Sequence, residues 1–154
     1  MSIKIETFIY LIHHNKALMG KIVIRDVERP DSNKPDAMIR WFLAVFDLGD
    51  GNEPNSIEAQ ILGEFIRAGR RGEGISSSEL KLKPPVARTT VIYHLNRLME
   101  LRILVKRGRK YYLRAAEMTK VMEEIQYDLE REMQRMIDMA KEFDKIIQKK
   151  FGEE

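Results

Sequence analysis

Cysteine is absent from the sequence. Its absence excludes a disulfide framework, a thiolate metal site and a cysteine nucleophile. Long apolar runs are also absent, because no uncharged stretch approaches the ~18 residues of a membrane span. The N terminus lacks the basic region, apolar stretch and small-residue cleavage site of a secretory signal. We therefore expect a cytoplasmic protein that is neither exported nor inserted in a membrane.

The charge of the chain is balanced in total but uneven along its length. The 154 residues carry 27 basic and 24 acidic side chains, and this net charge of +3 says little about partners. Residues 75–114 contain 10 Lys and Arg against 2 Glu, whereas residues 115–154 contain 7 basic and 11 acidic side chains. A local net charge of +8 is typical of a surface that binds a polyanion.

Residues 1–54 predict a β-hairpin followed by a helix. Ile3–Ile12 and Ile22–Val27 are rich in β-branched and aromatic residues, and the intervening HHNK supplies a turn. The stretch DAMIRWFLAVFDLG has Pro35 at a first helical position and Gly49 past its end, which favours a helix. Its apolar residues lie on every side, so it should be buried or lie in an interface. A third hydrophobic strand is the alternative, because short apolar runs do not separate the two states.

Two capping-box patterns predict the next two helices. In each pattern a polar residue accepts hydrogen bonds from free N–H groups, and a Glu three residues later reaches back. Asn55 and Glu58 begin a helix that ends at Gly69, and Ser76 and Glu79 begin a short second helix. This short helix carries two apolar residues, Leu80 and Leu82, and the prolines at 84 and 85 end it.

A third helix and a hairpin complete this region. The segment ARTTVIYHLNRLMEL, residues 87–101, has Val91, Leu95 and Leu98 on one inner face. Residues 103–113 form a two-stranded hairpin around a glycine turn. Three short helices before a hairpin, with the basic charge on the last helix and the hairpin, are the pattern of a winged helix-turn-helix.

The stretch ISSSEL followed by VARTTVIYHLNRLMELRILVKRGRKYYLR resembles the ArsR-type winged-helix regulators and their archaeal relatives. In these regulators a threonine-valine start, a histidine-leucine pair and an Arg-Gly-Arg wing before tyrosines recur in this order. The resemblance covers about residues 55–114 and implies a winged-helix DNA-binding domain. Arg102 stands where the family usually has glycine, so a strained left-handed residue or a different turn is expected there. Ala87 stands at the N-cap, where Ser or Thr would be stronger.

The outer face of the third helix carries side chains suited to the major groove of DNA. Arg pairs with guanine, Asn pairs with adenine, Thr, Tyr and Arg hold phosphates, and an exposed Ile meets a thymine methyl group. Cations around the hairpin tip suit phosphates or a narrow minor groove. A solvated helix face and a hairpin edge protected by charge are the alternatives. The predicted DNA-binding residues are Arg88, Thr89, Ile92, Tyr93, Asn96, Arg97, Arg107, Arg109 and Lys110.

No residue pattern predicts catalysis, a cofactor or a bound metal. His13 and His14 are adjacent, so in a strand they point to opposite faces and cannot chelate one metal as a pair. His94 should pack and hydrogen-bond, or contact a phosphate, and one of Tyr111 and Tyr112 should pack inward. GxSxG and HExxH motifs are absent, and GRRGEG follows a helix rather than preceding one. We therefore expect no enzyme activity.

Residues 115–154 predict one long helix with an apolar stripe that ends at Phe151. The stripe residues recur at steps of three and four, about 3.67 residues per turn, which is close to an eleven-residue repeat. A helix of roughly 50 Å cannot bury such a stripe on a sixty-residue domain alone. A partner helix is favoured over packing on residues 1–54 or a methionine-lined ligand pocket. The predicted dimerisation residues are Met118, Met122, Ile125, Leu129, Met133, Met136, Ala140, Phe143 and Ile147.

The sequence thus predicts an α+β, mainly helical protein in three parts. An N-terminal extension covers residues 1–54, a winged helix-turn-helix covers 55–114, and a dimerisation helix covers 115–154. The expected function is sequence-specific regulation of transcription by a homodimer bound to double-stranded DNA, with any effector left open. The alternative is a non-specific, chromatin-like or transcription-machinery factor that uses the winged domain to bind duplex DNA or a protein.

Overall fold

A computed structural model describes residues 7–12, 19–48 and 56–152 of the chain. Within these residues the fold is α+β, with one long C-terminal helix. The elements are, in order, β1 (Thr7–Ile12), β2 (Met19–Ile24), α1 (Pro35–Val45), α2 (Ile57–Gly69), β3 (Ile75–Ser76), α3 (Arg88–Glu100), β4 (Leu104–Arg107), β5 (Lys110–Leu113) and α4 (Met118–Phe151). The described residues up to Val121 form one compact unit, and those from Met122 onward form a second.

The N-terminal elements match the predicted hairpin and helix. Strands β1 and β2 pair antiparallel, with Thr7 opposite Ile24 and Ile12 opposite Met19. The HHNK segment between them lies outside the described residues. Helix α1 begins with Pro35 at its first position. The helix is therefore confirmed, and the alternative of a third strand is wrong.

Helix α1 ends in a left-handed residue that is not glycine. Asp47 has a φ of 60°, and the N–H of Leu48 donates to the Leu43 carbonyl over 2.7 Å. The Asp47 carboxylate also pairs with Arg25 Nη2 at 2.7 Å. Asp is one of the few side chains that tolerate this backbone region. The predicted terminator, Gly49, lies outside the described residues.

Helix α2 is capped by Ser56, whose hydroxyl accepts from the Ala59 N–H over 3.1 Å. The predicted cap at Asn55 is therefore wrong by one residue, and Asn55 lies outside the described residues. Ser and Asn are both strong N-cap residues, so residue type alone could not show whether Asn55 or Ser56 caps the helix.

The core of the compact unit lies where α2 and α3 pack on each other and on the sheet. Helix α2 also packs on α1, and α3 also packs on β2. The inner face of α3 is as predicted, because Val91, Leu95 and Leu98 are all buried. Burial of one such side chain contributes roughly 1.5–3 kcal/mol. The largest fully buried side chains are Ile22, Ile61, Leu62, Phe65, Leu95, Leu98, Ile103, Leu104 and Val121.

The predicted short helix between α2 and α3 is wrong. The two-residue strand β3 and a turn at 77–79 stand in its place. Half of the capping box is nevertheless present, because the Ser76 N–H donates to the Glu79 carboxylate over 3.1 Å. Pro84 disfavours a helical conformation at Lys83, which leaves too few residues to offset the cost of helix nucleation.

A side-chain clamp from α2 holds the segment before α3 instead. The Gln60 amide donates to the Lys83 carbonyl and accepts from the Lys83 N–H, both over 2.9 Å. Leu80 and Leu82 are buried as predicted, although they are not helical. The apolar pattern thus identified the correct core residues but the wrong backbone conformation.

Candidate nucleic-acid interface

A three-stranded sheet carries the basic hairpin, which we define as β4, β5 and the turn between them. The strand order is β3-β5-β4, and all neighbours are antiparallel. Arg107 pairs with Lys110, so the turn has two central residues, Gly108 and Arg109. Gly108 has a φ of 64°, and glycine at the first central position with positive φ is the type II′ pattern. The turn therefore projects Arg109 from the tip.

The outer face of α3 is open to solvent at most of the predicted positions. Tyr93 is 57% exposed, so much of its large aromatic side chain is available to a partner. Ala87 is the N-cap, as expected, and provides no side-chain hydrogen bond. Arg88, Thr89 and Asn96 are also exposed, and Ile92 and Arg97 are half-buried.

A cleft of about 400 Å³ lies between the start of α3 and the basic hairpin. Three separate parts of the chain form its walls: the turn after β3, the first turns of α3, and the hairpin. We call it the basic cleft. Its lining residues are Ser76, Ser77, Ser78, Arg88, Ile92, Lys106, Gly108, Arg109 and Tyr111.

The basic cleft combines cations with hydroxyl groups. Arg88 comes from α3, whereas Lys106 and Arg109 come from the hairpin, and all three are exposed. The hydroxyl oxygens of Ser76 and Ser78 lie 3.1 Å apart. None of the described residues that line the cleft is acidic. Ammonium, guanidinium and hydroxyl groups all donate hydrogen bonds, so the concavity favours an anion with several acceptor oxygens, such as a phosphate.

Sequence reasoning missed Lys106 and the serines of the cleft. Lys106 lies opposite Tyr111 in the β4–β5 register, and its Nζ is 5.3 Å from the Tyr111 ring centroid. The alternation of side chains along a strand could have identified it. Lys106 lies two residues after the buried Leu104, so its side chain is on the same face of β4, the one turned toward the helices. The serines gave no such signal. Their position depends on β3, which pairs Ser76 with Lys110.

The other predicted hairpin cations lie outside the cleft lining. The guanidinium carbon of Arg107 is 5.4 Å from the ring centroid of Tyr112. Tyr112 packs over Gly74, where an added Cβ would lie only 2.5 Å from the Tyr112 Cζ. Lys110 is exposed at the start of β5. Tyr111 is buried and Tyr112 is half-buried, so the expectation of one inward tyrosine is confirmed.

The turn that joins α3 to the basic hairpin contains the expected left-handed residue. Arg102 has a φ of 64°. Its N–H donates to the Met99 carbonyl over 2.9 Å, and the Ile103 N–H donates to the Leu98 carbonyl over 3.1 Å. These are the paired bonds of a Schellman motif. The conformation costs a residue with a Cβ roughly 1–2 kcal/mol, which the burial of Leu98 and Ile103 offsets.

His94 links α3 to α2 on the half-buried side of α3. Its Nδ1 is 3.0 Å from Glu58 Oε1, and the two side chains are 13% and 23% exposed. The His94 ring lies edge-on to Tyr93, with 5.1 Å between the ring centroids. The predicted packing and hydrogen-bonding role is confirmed. This contact holds the middle of α3 against the first turn of α2.

Helix α4 carries a second candidate surface. Every side chain from Met133 to Phe151 is exposed. Among the predicted dimerisation residues before Met133, Met118, Met122 and Leu129 are half-buried and Ile125 is buried. Sequence reasoning missed three apolar residues that widen the stripe: Ile137, Met139 and Ile146. We call the following set the exposed stripe: Met133, Met136, Ile137, Met139, Ala140, Phe143, Ile146, Ile147 and Phe151.

Within 7–12, 19–48 and 56–152, no three His, Asp or Glu side chains are grouped so that they could hold a metal ion. His13 and His14 lie outside these ranges. None of the helices in the described parts of the chain combines the length and apolarity that crossing a bilayer requires.

Comparisons of the chain with protein-family models, curated proteins and solved structures find no match. The resemblance of residues 55–114 to ArsR-type regulators therefore rests on the residues of this sequence alone.

Proposed function

We propose that the chain is a sequence-specific, DNA-binding regulator of transcription that acts as a homodimer. The winged helix-turn-helix resemblance supplies the binding mode. In this mode the outer face of α3 enters a major groove, and the basic cleft holds a backbone phosphate at the edge of that groove. The basic hairpin acts as the wing on the backbone or in the minor groove.

One observation carries the proposal: the basic cleft adjoins an exposed helix face of mixed chemistry. The cleft suits phosphate, which contributes affinity but no sequence information. The adjoining face has Asn96 and Thr89, which form hydrogen bonds with base edges or phosphates, and the half-buried Ile92, which offers a methyl contact. The exposed Tyr93 among these groups favours a contact surface over a helix face that meets only solvent.

The proposal does not require the missing second helix. In a helix-turn-helix this helix sets the position of the recognition helix. In this chain the Gln60–Lys83 clamp and the His94–Glu58 pair hold α3 against α2. Both contacts join residues that are far apart in sequence, so the segment before α3 and the middle of α3 are each held to α2.

The homodimer is supported by the exposed stripe. Monomeric proteins rarely expose a long continuous apolar surface, and a second copy of α4 has the same length and the same apolar spacing. A two-fold dimer favours an inverted-repeat site, with half-sites separated by one helical turn of DNA or a multiple of it.

Selection of duplexes from a randomised DNA library by the full-length protein tests the function. We expect an inverted-repeat motif among the enriched sequences. The enriched site should then compete for binding about 1000-fold better than a scrambled duplex of the same composition. Equal competition by both duplexes would favour the non-specific alternative. Absence of binding to any duplex at low salt would contradict both forms of DNA binding.

A further inference from the structure

The basic cleft is larger than a contact with one DNA phosphate requires. We propose that it also binds a free small molecule that carries a phosphomonoester and an apolar group, and that this ligand releases the protein from DNA. The release rests on the proposed function, because the ligand and a DNA phosphate use the same cations. Binding of the ligand itself does not depend on DNA.

The volume of the basic cleft is that of a small-molecule site. It measures about 400 Å³, and pockets for small ligands span roughly 300–1,000 Å³. A phosphate group is about as large as four water molecules, roughly 120 Å³ in total. One phosphate therefore leaves more than half of the cleft unfilled, and a ligand that fills the cleft needs a second group beside its phosphate.

The inner side chains of the cleft indicate that this second group is apolar. Tyr111 lines the cleft although it is only 4% exposed, so it forms the floor rather than the rim. The half-buried Ile92 adds an aliphatic wall from α3. The Lys106 Nζ lies 5.3 Å from the Tyr111 ring centroid. A cation and the apolar floor are thus close enough for one small molecule to contact both.

The cations of the cleft favour a phosphomonoester over a diester. Arg88, Lys106 and Arg109 come from α3, from β4 and from the turn of the basic hairpin. A monoester carries a charge of about −1.5 to −2 at pH 7 and has three terminal oxygens, one for each cation. A phosphodiester of DNA carries one charge and has two unesterified oxygens. The free ligand therefore matches the three cations more completely than the DNA backbone does.

The start of α3 adds to the preference for an anion. Arg88 is the first residue of this helix, where the positive end of the helix dipole lies. The N-cap, Ala87, makes no side-chain hydrogen bond. No side chain at the N-cap therefore competes with a bound anion for the first N–H groups of α3.

Calorimetric titration of the full-length protein with phenyl phosphate, without DNA, tests the site. We expect one molecule to bind per chain, about tenfold more tightly than the diester methyl phenyl phosphate, because the diester loses a charge-assisted hydrogen bond. Inorganic phosphate lacks the apolar group and should bind about fivefold more weakly than phenyl phosphate. Equal affinity for the monoester and the diester would overturn the assignment, and so would absence of phenyl phosphate binding.

Two matched variants locate the bound phosphate. Lys106→Gln removes a cation of the cleft and should weaken phenyl phosphate binding about tenfold. Lys81→Gln removes the same charge outside the cleft lining and should leave the affinity unchanged. Both lysines are exposed, so neither change removes packing from the core. Equal losses in the two variants would assign binding to general positive charge and would overturn the site.

A third variant tests the apolar wall. Ile92→Ala should reduce the preference for phenyl phosphate over inorganic phosphate, because it removes part of the surface that contacts the ring. The affinity for inorganic phosphate itself should stay the same. An unchanged preference would overturn the apolar part of the ligand.

Competition with a labelled duplex tests the release of DNA. Phenyl phosphate should displace the duplex more effectively than sodium chloride of equal ionic strength, which controls for screening. Phenyl phosphate that binds in calorimetry but displaces no more DNA than this salt would overturn the release. A protein that binds phenyl phosphate but no duplex would overturn the proposed function and leave the ligand site intact.

A phosphomonoester also stands at the 5′ end of a DNA strand, and the same assay separates this source from a small molecule. To fill the rest of the cleft, a duplex end would have to unstack its terminal base, which is unfavourable. We therefore expect duplexes with 5′-phosphate and 5′-hydroxyl ends to bind equally. A clear preference for phosphorylated ends would assign the cleft to DNA ends and would overturn the small-molecule ligand.

Discussion

In the compact unit that ends at Val121, the apolar faces of α2 and α3 are buried, whereas beyond Met133 the apolar face of α4 is exposed. The compact unit needs no partner to bury its core. The exposed stripe is an apolar surface of a kind that monomeric proteins rarely leave in solvent. With α4 as the proposed dimerisation helix, stability and association depend on different parts of this chain. Changes in one region should leave the other unaffected.

The basic cleft and helix α4 also differ in the charges that they carry. In the basic cleft, three cations face a concavity whose described lining has no acidic residue, so the cleft favours a bound anion. On α4 acidic and basic side chains are interspersed with the apolar residues. Binding at the cleft should therefore weaken strongly with salt, and pairing of α4 should depend on salt only weakly.

The largest effect is expected when a charge is placed within the exposed stripe. Phe143→Glu should raise the dimer dissociation constant on the order of 100-fold or more, because the dimer would bury two unpaired carboxylates. Sedimentation or light scattering over a dilution series measures it. Gln148→Glu adds the same charge to the same helix outside the stripe and should leave the constant nearly unchanged. Similar effects of both changes would show that only net charge matters.

A smaller, sequence-dependent effect is expected on the outer face of α3. Asn96→Ala should weaken binding to the selected site by about 5- to 150-fold, on the order of 1–3 kcal/mol, if a contact with a base is lost. Binding to random duplex should stay the same. Asn33→Ala, in an exposed loop before α1, is the matched control. Equal losses on both duplexes would assign Asn96 to the DNA backbone.

At the basic cleft we expect an effect that is uniform across sequences. Lys106→Ala should lower the slope of log affinity against log salt by about 0.9, and should weaken binding to every duplex roughly fivefold near 0.15 M salt. Lys81→Ala removes the same charge from a different surface, away from the cleft lining. If Lys81→Ala changed the slope as much as Lys106→Ala, the cleft would have no special role.

The smallest effects concern the stability of the compact unit alone. Arg102 and Gly108 both have a φ of 64°. Glycine at position 102 and a residue with a Cβ at position 108 should therefore change the free energy of unfolding in opposite directions. Arg102→Gly should raise the free energy of unfolding by about 0.5–1 kcal/mol, and Gly108→Ala should lower it by about 1 kcal/mol. Denaturant titration measures both.

The two variants also test the separation between the regions. An added Cβ at Gly108 meets no atom within 4 Å, so its expected cost is purely conformational. Neither variant should change the dimer dissociation constant. A change in dimerisation would show that the compact unit and the pairing of α4 are coupled.

Elements whose signals are local could be predicted from the sequence. Pro35 predicted the start of α1, and the spacing of Val91, Leu95 and Leu98 predicted the inner face of α3. Ala87 was identified as an N-cap without a side-chain bond, and Arg102 as a left-handed residue. Each of these depends on interactions within a few residues, for which spacing and residue type are sufficient.

Features that depend on distant residues could not be predicted in this way. The pattern at Ser76–Glu79 favoured a helix, but the chain forms a turn and a strand there, because β5 supplies a pairing edge and Gln60 binds the backbone of Lys83. The partner of Glu58 was also missed, because His94 is distant in sequence.

The identity of the apolar and charged side chains, and the period at which they recur, follow from the amino-acid order alone. This order thereby determined the inner face of α3, the stripe of α4 and the local excess of cations. Only the tertiary structure brought Ser76, Arg88 and Lys106 to one cleft and gave α3 its orientation on α2. The two kinds of feature differ in the sequence separation of the residues that interact. Periodicity and capping act over one or two helical turns, whereas a cleft is formed by strand pairing and packing between residues that the sequence keeps far apart.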